Sequence, residues 1–293
     1  MLSDPAPSRS TTTPLMTKTC AMGTSANRRA DLATYMAREV LGPQGFCCKS
    51  AHECRNSALA QRQPIEFAAG QLSHVGKFYD LIEDAIPLRI LVIGMETGRT
   101  DHEVSLQMRR QQLLESAALI PKARNPHMIG VTHALRTLHG LPIGPDPEGE
   151  FLQVGPGSHP VHIFDAYAMA NVRLCTSVKA GTTQSRPTRI MTKNCLRHLE
   201  ETIRILQPTV CVVQSTRIPK ALRPIVTRRT QVAPHLAEVE VGGVHTLVAE
   251  FSHPTAYADL NWGRWTNMPY LDDIVLPTLR EARVRLGLNH FSM

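Results

Sequence analysis

The sequence predicts an α/β fold, a three-layer α/β/α sandwich built on a mainly parallel four-stranded sheet. Three observations carry this. Short apolar runs alternate with longer helical stretches along the second two-thirds of the chain. The runs are apolar on consecutive residues, as expected of parallel strands buried on both faces, and the run at 88–93 is closed by Gly94. Between them, a stretch such as 187–206 places Leu196, Leu199, Ile203 and Leu206 at intervals of three and four, one buried helical stripe.

Taken in order, residues 1–26 are rich in Ser, Thr and Pro, show no apolar period and are expected to form a disordered leader. Residues 27–293 then make a single domain. It opens with a helix over 27–41, which Gly42-Pro43-Gln44-Gly45 breaks before a loop holding Cys47, Cys48 and Cys54. The first strand is expected at 88–93, followed by helices over 103–118 and 127–138. A Gly/Pro-rich segment at 140–160 separates these from a strand over 162–172. Pro187 opens the next helix, which leads into a strand at 209–213. A further strand at 246–251 ends at Ser252-His253-Pro254, and 271–286 reads as the closing helix. Ligands of such sheets bind outside the carboxyl ends of the strands.

At 293 residues and 42% apolar content, the chain can bury a substantial core. Its 32 Lys and Arg against 25 Asp and Glu give a formal charge of +7, which favours a polyanionic partner. No apolar run reaches the roughly 18 residues of a membrane span, and the first thirty residues lack a signal-peptide core, so a cytoplasmic location is expected. No obligate protein partner is evident. Seven cysteines in such a chain read as thiols or metal ligands in preference to disulfides.

Three segments leave expected strand ends: Gly94-Met95-Glu96-Thr97-Gly98, Asn171, and His253-Pro254. A carboxylate, an amide and an imidazole at one sheet edge can converge on one ligand. Two further blocks accompany them. One is Tyr167-Ala168-Met169-Ala170-Asn171-Val172-Arg173-Leu174-Cys175; the other combines Cys195-Leu196-Arg197-His198-Leu199-Glu200 with Ile205-Leu206-Gln207-Pro208-Thr209-Val210. Together they resemble the uracil-DNA glycosylase superfamily, and most closely its iron-sulfur, family-four branch, over roughly residues 47–257.

The resemblance implies a [4Fe-4S] cluster held by Cys175, Cys195, Cys54 and one of Cys47 or Cys48, since adjacent residues rarely both aim at one iron. The branch's usual C-x-x-C is missing. Zinc on the same thiolates, or a set of unliganded thiols, are the competing readings. Cys211 reads as core, and Cys20 falls in the leader.

The resemblance also implies excision of a base through an oxocarbenium-like sugar, with positive charge on the sugar and negative charge on the leaving base. Glu96 takes the place of the aspartate in the family-one motif GQDPY, which orients the attacking water; the iron-sulfur branch has its Glu one position earlier, where this chain has Met95. Capping of the following helix is the structural alternative for Glu96. His253 would donate to base oxygen O2, with Pro254 restricting its backbone. Asn171 would read the base edge beside Gly94, Met95 and Gly98, and its amide fits uracil in one orientation and cytosine in the other. Gly98 replaces the GQDPY tyrosine, so a pyrimidine carrying a larger C5 group is weighed with uracil. In 255–265, Tyr257 or Leu260 would wedge into the duplex and Arg264 meet DNA beside Pro254, while Trp262 and Trp265 suit packing equally well. The implied function is a monofunctional DNA glycosylase, in repair or in defence against foreign DNA. A non-catalytic iron-sulfur nucleic-acid module is the alternative.

Overall fold

The apolar runs become the middle of a seven-stranded mixed sheet in a computed structural model that describes residues 18–97 and 103–288. The strands are β1 (His74–Val75), β2 (Ile90–Gly94), β3 (Ala168–Asn171), β4 (Val210–Gln214), β5 (Val226–Ala233), β6 (Leu236–Val241) and β7 (Val244–Phe251). Their spatial order is β5-β6-β7-β4-β2-β3-β1. The four expected strands are the central four, β7, β4, β2 and β3, and all run parallel. The expectation of four strands is therefore corrected to seven. Antiparallel β1 closes one edge, while β6 and β5 extend the other as successive antiparallel hairpins.

The β6–β7 hairpin is written in the sequence as Gly242-Gly243. Both residues take positive φ, 55° and 76°, between the paired Val241 and Val244, as a two-residue turn matching strand twist requires.

Helices α1 (Met22–Glu39), α2 (Ala51–Leu59), α3 (Leu106–Ala118), α4 (Pro126–Leu138), α5 (Arg189–Leu206), α6 (Ile218–Leu222) and α7 (Leu276–Arg285) complete the fold. Along β2, Ile90 and Val92 enter one apolar cluster with Leu135 of α4 and Leu279 of α7. Leu91 and Ile93 enter another with Leu32 of α1 and Leu199 of α5. A strand covered on both faces has no solvent side to mark with polar residues, which explains its unbroken apolar run. Thr188 caps α5, its hydroxyl accepting from the Met191 amide, and Gln207 ends the helix with a left-handed φ of 46°.

Several boundaries differ from the sequence reading. The leader expected over 1–26 gives way to structure at Lys18–Cys20, a strand paired with Leu81–Glu83, and α1 begins at Met22. Lys18 is drawn into the fold by its 2.9 Å ion pair with buried Glu83. The strand expected over 162–172 is split by a short helical turn at Ile163–Asp165, and only β3 joins the large sheet. The Gly/Pro-rich 140–160 segment is stapled to α4 and the turn before it: Asp146 pairs with Arg136 of α4 at 3.2 Å, and Glu150 pairs with Arg124 ahead of the helix. Among the described residues no helix is long and apolar enough to cross a membrane.

Candidate functional site

Parallel strands share one carboxyl edge, and the chain reverses its direction of travel across the sheet at β2, which lies between β3 and β4. That reversal opens the crevice where such sheets bind ligands. Glu96, Asn171 and His253 all lie at this edge, following or ending β2, β3 and β7.

Asn171 pairs with Gly94 across the β2–β3 ladder. A β-carbon on Gly94 would stand 2.7 Å from the Asn171 Oδ1, so the glycine makes room for the amide. Asn171 Nδ2 donates to Thr97 Oγ1 at 3.1 Å, and the guanidinium of buried Arg109 donates to the same hydroxyl at 3.2 Å. The Thr97 carbonyl accepts from the Thr176 hydroxyl at 2.5 Å. Thr97 thus ties the turn after β2 to β3 and α3. Sequence reasoning passed over Arg109; no local signal singles it out on α3.

Glu96 is folded inward, with 6% of its side chain exposed. Arg173 Nε donates to its Oε2 at 2.6 Å, and the Ser185 hydroxyl donates to Oε1. Burial pushes the Glu96 carboxyl up, and Arg173 opposes that shift. Arg173 also donates to Thr192 Oγ1 of α5 at 3.0 Å. No helix-capping bond from Glu96 is formed among the described residues; Ser105 caps α3 instead, accepting from the Met108 amide. Met95 was expected to touch the base. Its side chain packs into the α1/α5 cluster, and its carbonyl accepts from the Arg173 amide at 2.9 Å. Gly98 lies outside the described residues.

His253 opens to solvent at the end of β7. Its Nδ1 accepts from the Thr255 backbone amide at 3.2 Å and lies 2.8 Å from the Thr255 hydroxyl. A backbone N–H can only donate, so the ring proton sits on Nε2, which is left as a donor. Desolvation holds the His253 pKa below its ordinary value. The ring stacks on His127 at 5.9 Å and 22°, joining the His253 turn to the start of α4; burial takes His127 down to about 4.

The 252–265 loop divides into anchors and exposed residues. Trp262 is buried and its indole N–H donates to the Ser252 carbonyl, while Trp265 donates to Pro121, so both tryptophans pack the loop down. Pro254, expected at DNA, is buried instead; its carbonyl accepts from the Trp262 and Gly263 amides, closing the loop on itself. Tyr257 is 94% exposed and Leu260 50% exposed, and Arg264 is exposed as well.

Four of the cysteines, Cys48, Cys54, Cys175 and Cys195, lie within electrostatic reach of one another, two residues beyond Arg173 in the case of Cys175. Cys54 (α2) and Cys175 share a small apolar cluster with Ala58 and Met191, while Cys195 (α5) belongs to the α1/α5 cluster and acts electrostatically on Cys175. Cys48 acts electrostatically on Cys54, Cys175 and Cys195. Burial first, then the neighbouring thiols, pushes Cys175 up; burial takes Cys195 up to about 12.

Each of these four sulfurs also meets a hydrogen-bonding group. Arg197 donates to Cys48 at 3.9 Å, with the His198 Nε2 at 3.6 Å; Asn194 donates to Cys54 at 3.6 Å. The Leu174 amide donates to Cys195 at 3.5 Å, and a hydrogen bond with the Gly70 backbone opposes the upward shift of Cys175. Cys47 is different: its thiol donates to the Ala37 and Arg38 carbonyls at the end of α1. Cys211 sits in β4 as core.

Among the described residues no group of three or more His, Cys, Asp or Glu side chains stands ready to hold a metal ion. Four thiols met by hydrogen-bonding groups nevertheless have the donor chemistry of a thiolate-bound cluster, whose several irons take one sulfur each and so require a wider spacing than one ion does. No protein-family model matches the chain, and no curated protein matches it.

Proposed function

We propose that this chain is a monofunctional DNA glycosylase of the uracil-DNA glycosylase superfamily, built as a three-layer α/β/α sandwich and acting on DNA in the cytoplasm. The observation that carries the reading is the arrival of Glu96, Asn171 and the Nε2–H of His253 at one carboxyl edge, beside the β2 crevice. The two apolar clusters on opposite faces of β2 support the layered architecture.

In the reaction, the bond from sugar C1′ to the base nitrogen breaks with its electron pair moving to the base. Water adds to C1′ and gives up a proton to Glu96, and the base leaves as an anion that then takes a proton from solvent, while Glu96 returns its own to solvent. Asn171 pairs with the edge of the flipped base, its amide braced by Thr97. His253 donates from Nε2 to the base oxygen as charge accumulates there. Glu96 orients the water and accepts its proton. Cys48, Cys54, Cys175 and Cys195 would hold a [4Fe-4S] cluster, which when bound cross-links their segments and supplies one-electron redox capacity. The positive formal charge and the exposed Tyr257, Leu260 and Arg264 suit a DNA partner. The substrate is uracil or a C5-modified pyrimidine, the latter favoured by the glycine at position 98.

One observation favours the non-catalytic alternative: the Glu96 carboxylate is already engaged by Arg173 and Ser185. The two readings separate when the purified protein is incubated with DNAs containing uracil, 5-hydroxymethyl or glycosylated pyrimidines and the products are treated with alkali. Strand cleavage at the target base supports the glycosylase. Intact strands across the whole panel, with DNA binding retained, overturn it.

A further inference from the structure

The proposed chemistry requires Glu96 to be ionised at a place where burial favours its neutral form. Among the described residues Arg173, arriving from the segment after β3, is the charged group acting on it; Ser185, from the loop ahead of α5, faces it uncharged. Each carboxylate oxygen therefore has one donor, Arg173 on Oε2 and Ser185 on Oε1. A carboxylate has about four lone-pair sites, so roughly two remain for water.

Arg173 is itself 3% exposed and held from both sides. Its amide donates to the Met95 carbonyl, in the turn that carries Glu96, and its Nη1 donates to Thr192 in the first turns of α5. The next residue, Leu174, donates to the Cys195 sulfur at 3.5 Å, while its carbonyl accepts from the Gln71 amide at 2.8 Å. Cys175 follows immediately. The guanidinium is thus tethered to two of the four converging sulfurs while it grips the carboxylate.

We propose that Arg173 is a positioning residue that keeps Glu96 ionised and aimed, and that the Cys175 and Cys195 segments fix where its guanidinium stands. This rests on the glycosylase reading and sharpens it. A carboxylate neutralised by a buried guanidinium is poorly suited to offset charge on the sugar, so Glu96 works on the water. The cysteine pocket then contributes to catalysis through geometry, by holding the arm that holds the acid.

The test uses full-length protein with its native cofactor content and compares wild type, Arg173→Gln, Arg173→Lys and Glu96→Gln. Excision is measured in single turnover between about pH 5 and pH 9, on whichever DNA the wild type cleaves. Arg173→Gln should move the acid limb up by at least about one pH unit and recover as pH rises, because an unpaired buried carboxyl binds its proton more tightly. Arg173→Lys should keep the limb within about half a unit, since it retains the charge. Absorbance near 400 nm and iron per chain should stay close to wild type in both variants, as neither removes a sulfur.

The Glu96 carboxyl is also titrated directly by carbon-13 NMR, its signal assigned by its loss in Glu96→Gln. A midpoint that does not rise in Arg173→Gln overturns the proposal, whether or not the protein excises a base. Uniform rate loss at every pH with an unmoved limb overturns it too. A wild type that cleaves nothing, yet shows the NMR shift, refutes the glycosylase reading and leaves the role of Arg173 standing.

Discussion

The strand-end cleft and the cysteine pocket share the stretch from Asn171 to Cys175, yet they are held in different ways. In the cleft, the key side chains leave β2, β3 and β7, whose parallel ladders fix the backbone before any ligand arrives. The pocket is bordered only by a short two-stranded antiparallel ladder, Thr176–Lys179 with Ile65–Ala68, outside the large sheet. Helices α2 and α5 meet there through the Ser57–Thr188 and Asn194–Glu53 hydrogen bonds, around a handful of apolar residues. Cys54, Cys175 and Cys195 are pushed up by burial first and by neighbouring thiols, so these three are poor hosts for negative charge without a cation. One region is preorganised by the sheet; the other is completed by what binds in it.

The sharpest way to break that contrast is to disable the cleft without disturbing the pocket. Glu96→Gln is expected to lower excision at least ~100-fold while DNA binding and iron content hold, because the shape survives and the base is lost. His253→Ala should behave alike through loss of the Nε2 donor. Single-turnover rates beside binding isotherms check both, and equal loss of rate and affinity would make these residues structural.

The converse cuts the pocket. Cys54→Ser and Cys175→Ser should each strip most of the iron and lower soluble yield, since a site joining separate segments contributes to folding. Cys47→Ser should leave both unchanged, its thiol being spent on the α1 carbonyls. Iron analysis of anaerobically purified protein decides. Loss of iron in Cys47→Ser would reverse the assignment.

A smaller effect follows from Gly94→Ala. The added carbon meets the Asn171 Oδ1, so overpacking should cost about 1 to 3 kcal/mol in denaturant titration and blunt excision, while iron is retained.

A further test is global. His74 and His133 are buried, each donating from Nε2 to a backbone carbonyl, and burial lowers both to about 4. The unfolded chain binds these protons first, so stability should be full above pH 6.5 and fall as pH drops toward 4. Thermal melts across that window should show it, and a flat profile would contradict it.

The cleft was largely legible in the sequence because strand ends announce themselves. Unbroken apolar runs located β2, β4 and β7, and Glu96 and His253 follow two of them at the carboxyl edge. Side-chain direction was not legible. Met95 and Glu96 are neighbours, and only the pleat decides that one enters the core while the other meets Arg173. The hairpin of β6 and β7 was missed although Gly242-Gly243 between β-rich runs is a strong turn signal. Pro254 reads as a loop residue, but the closure of 252–265 over it depends on Trp262 reaching back to Ser252, a contact no local pattern encodes. Among the cysteines, residue type drew attention to the group. Choosing Cys48 over Cys47 required knowing which carbonyls lie nearby.

The Thr255 amide on His253 Nδ1 makes the proton inventory of the cleft a property of the main chain. Any residue except proline at position 255 supplies that N–H, so the tautomer instruction outlasts loss of the Thr255 hydroxyl, although that hydroxyl lies 2.8 Å from the same nitrogen. Proline at 255 is the one inherited change that would erase the instruction without touching the histidine itself.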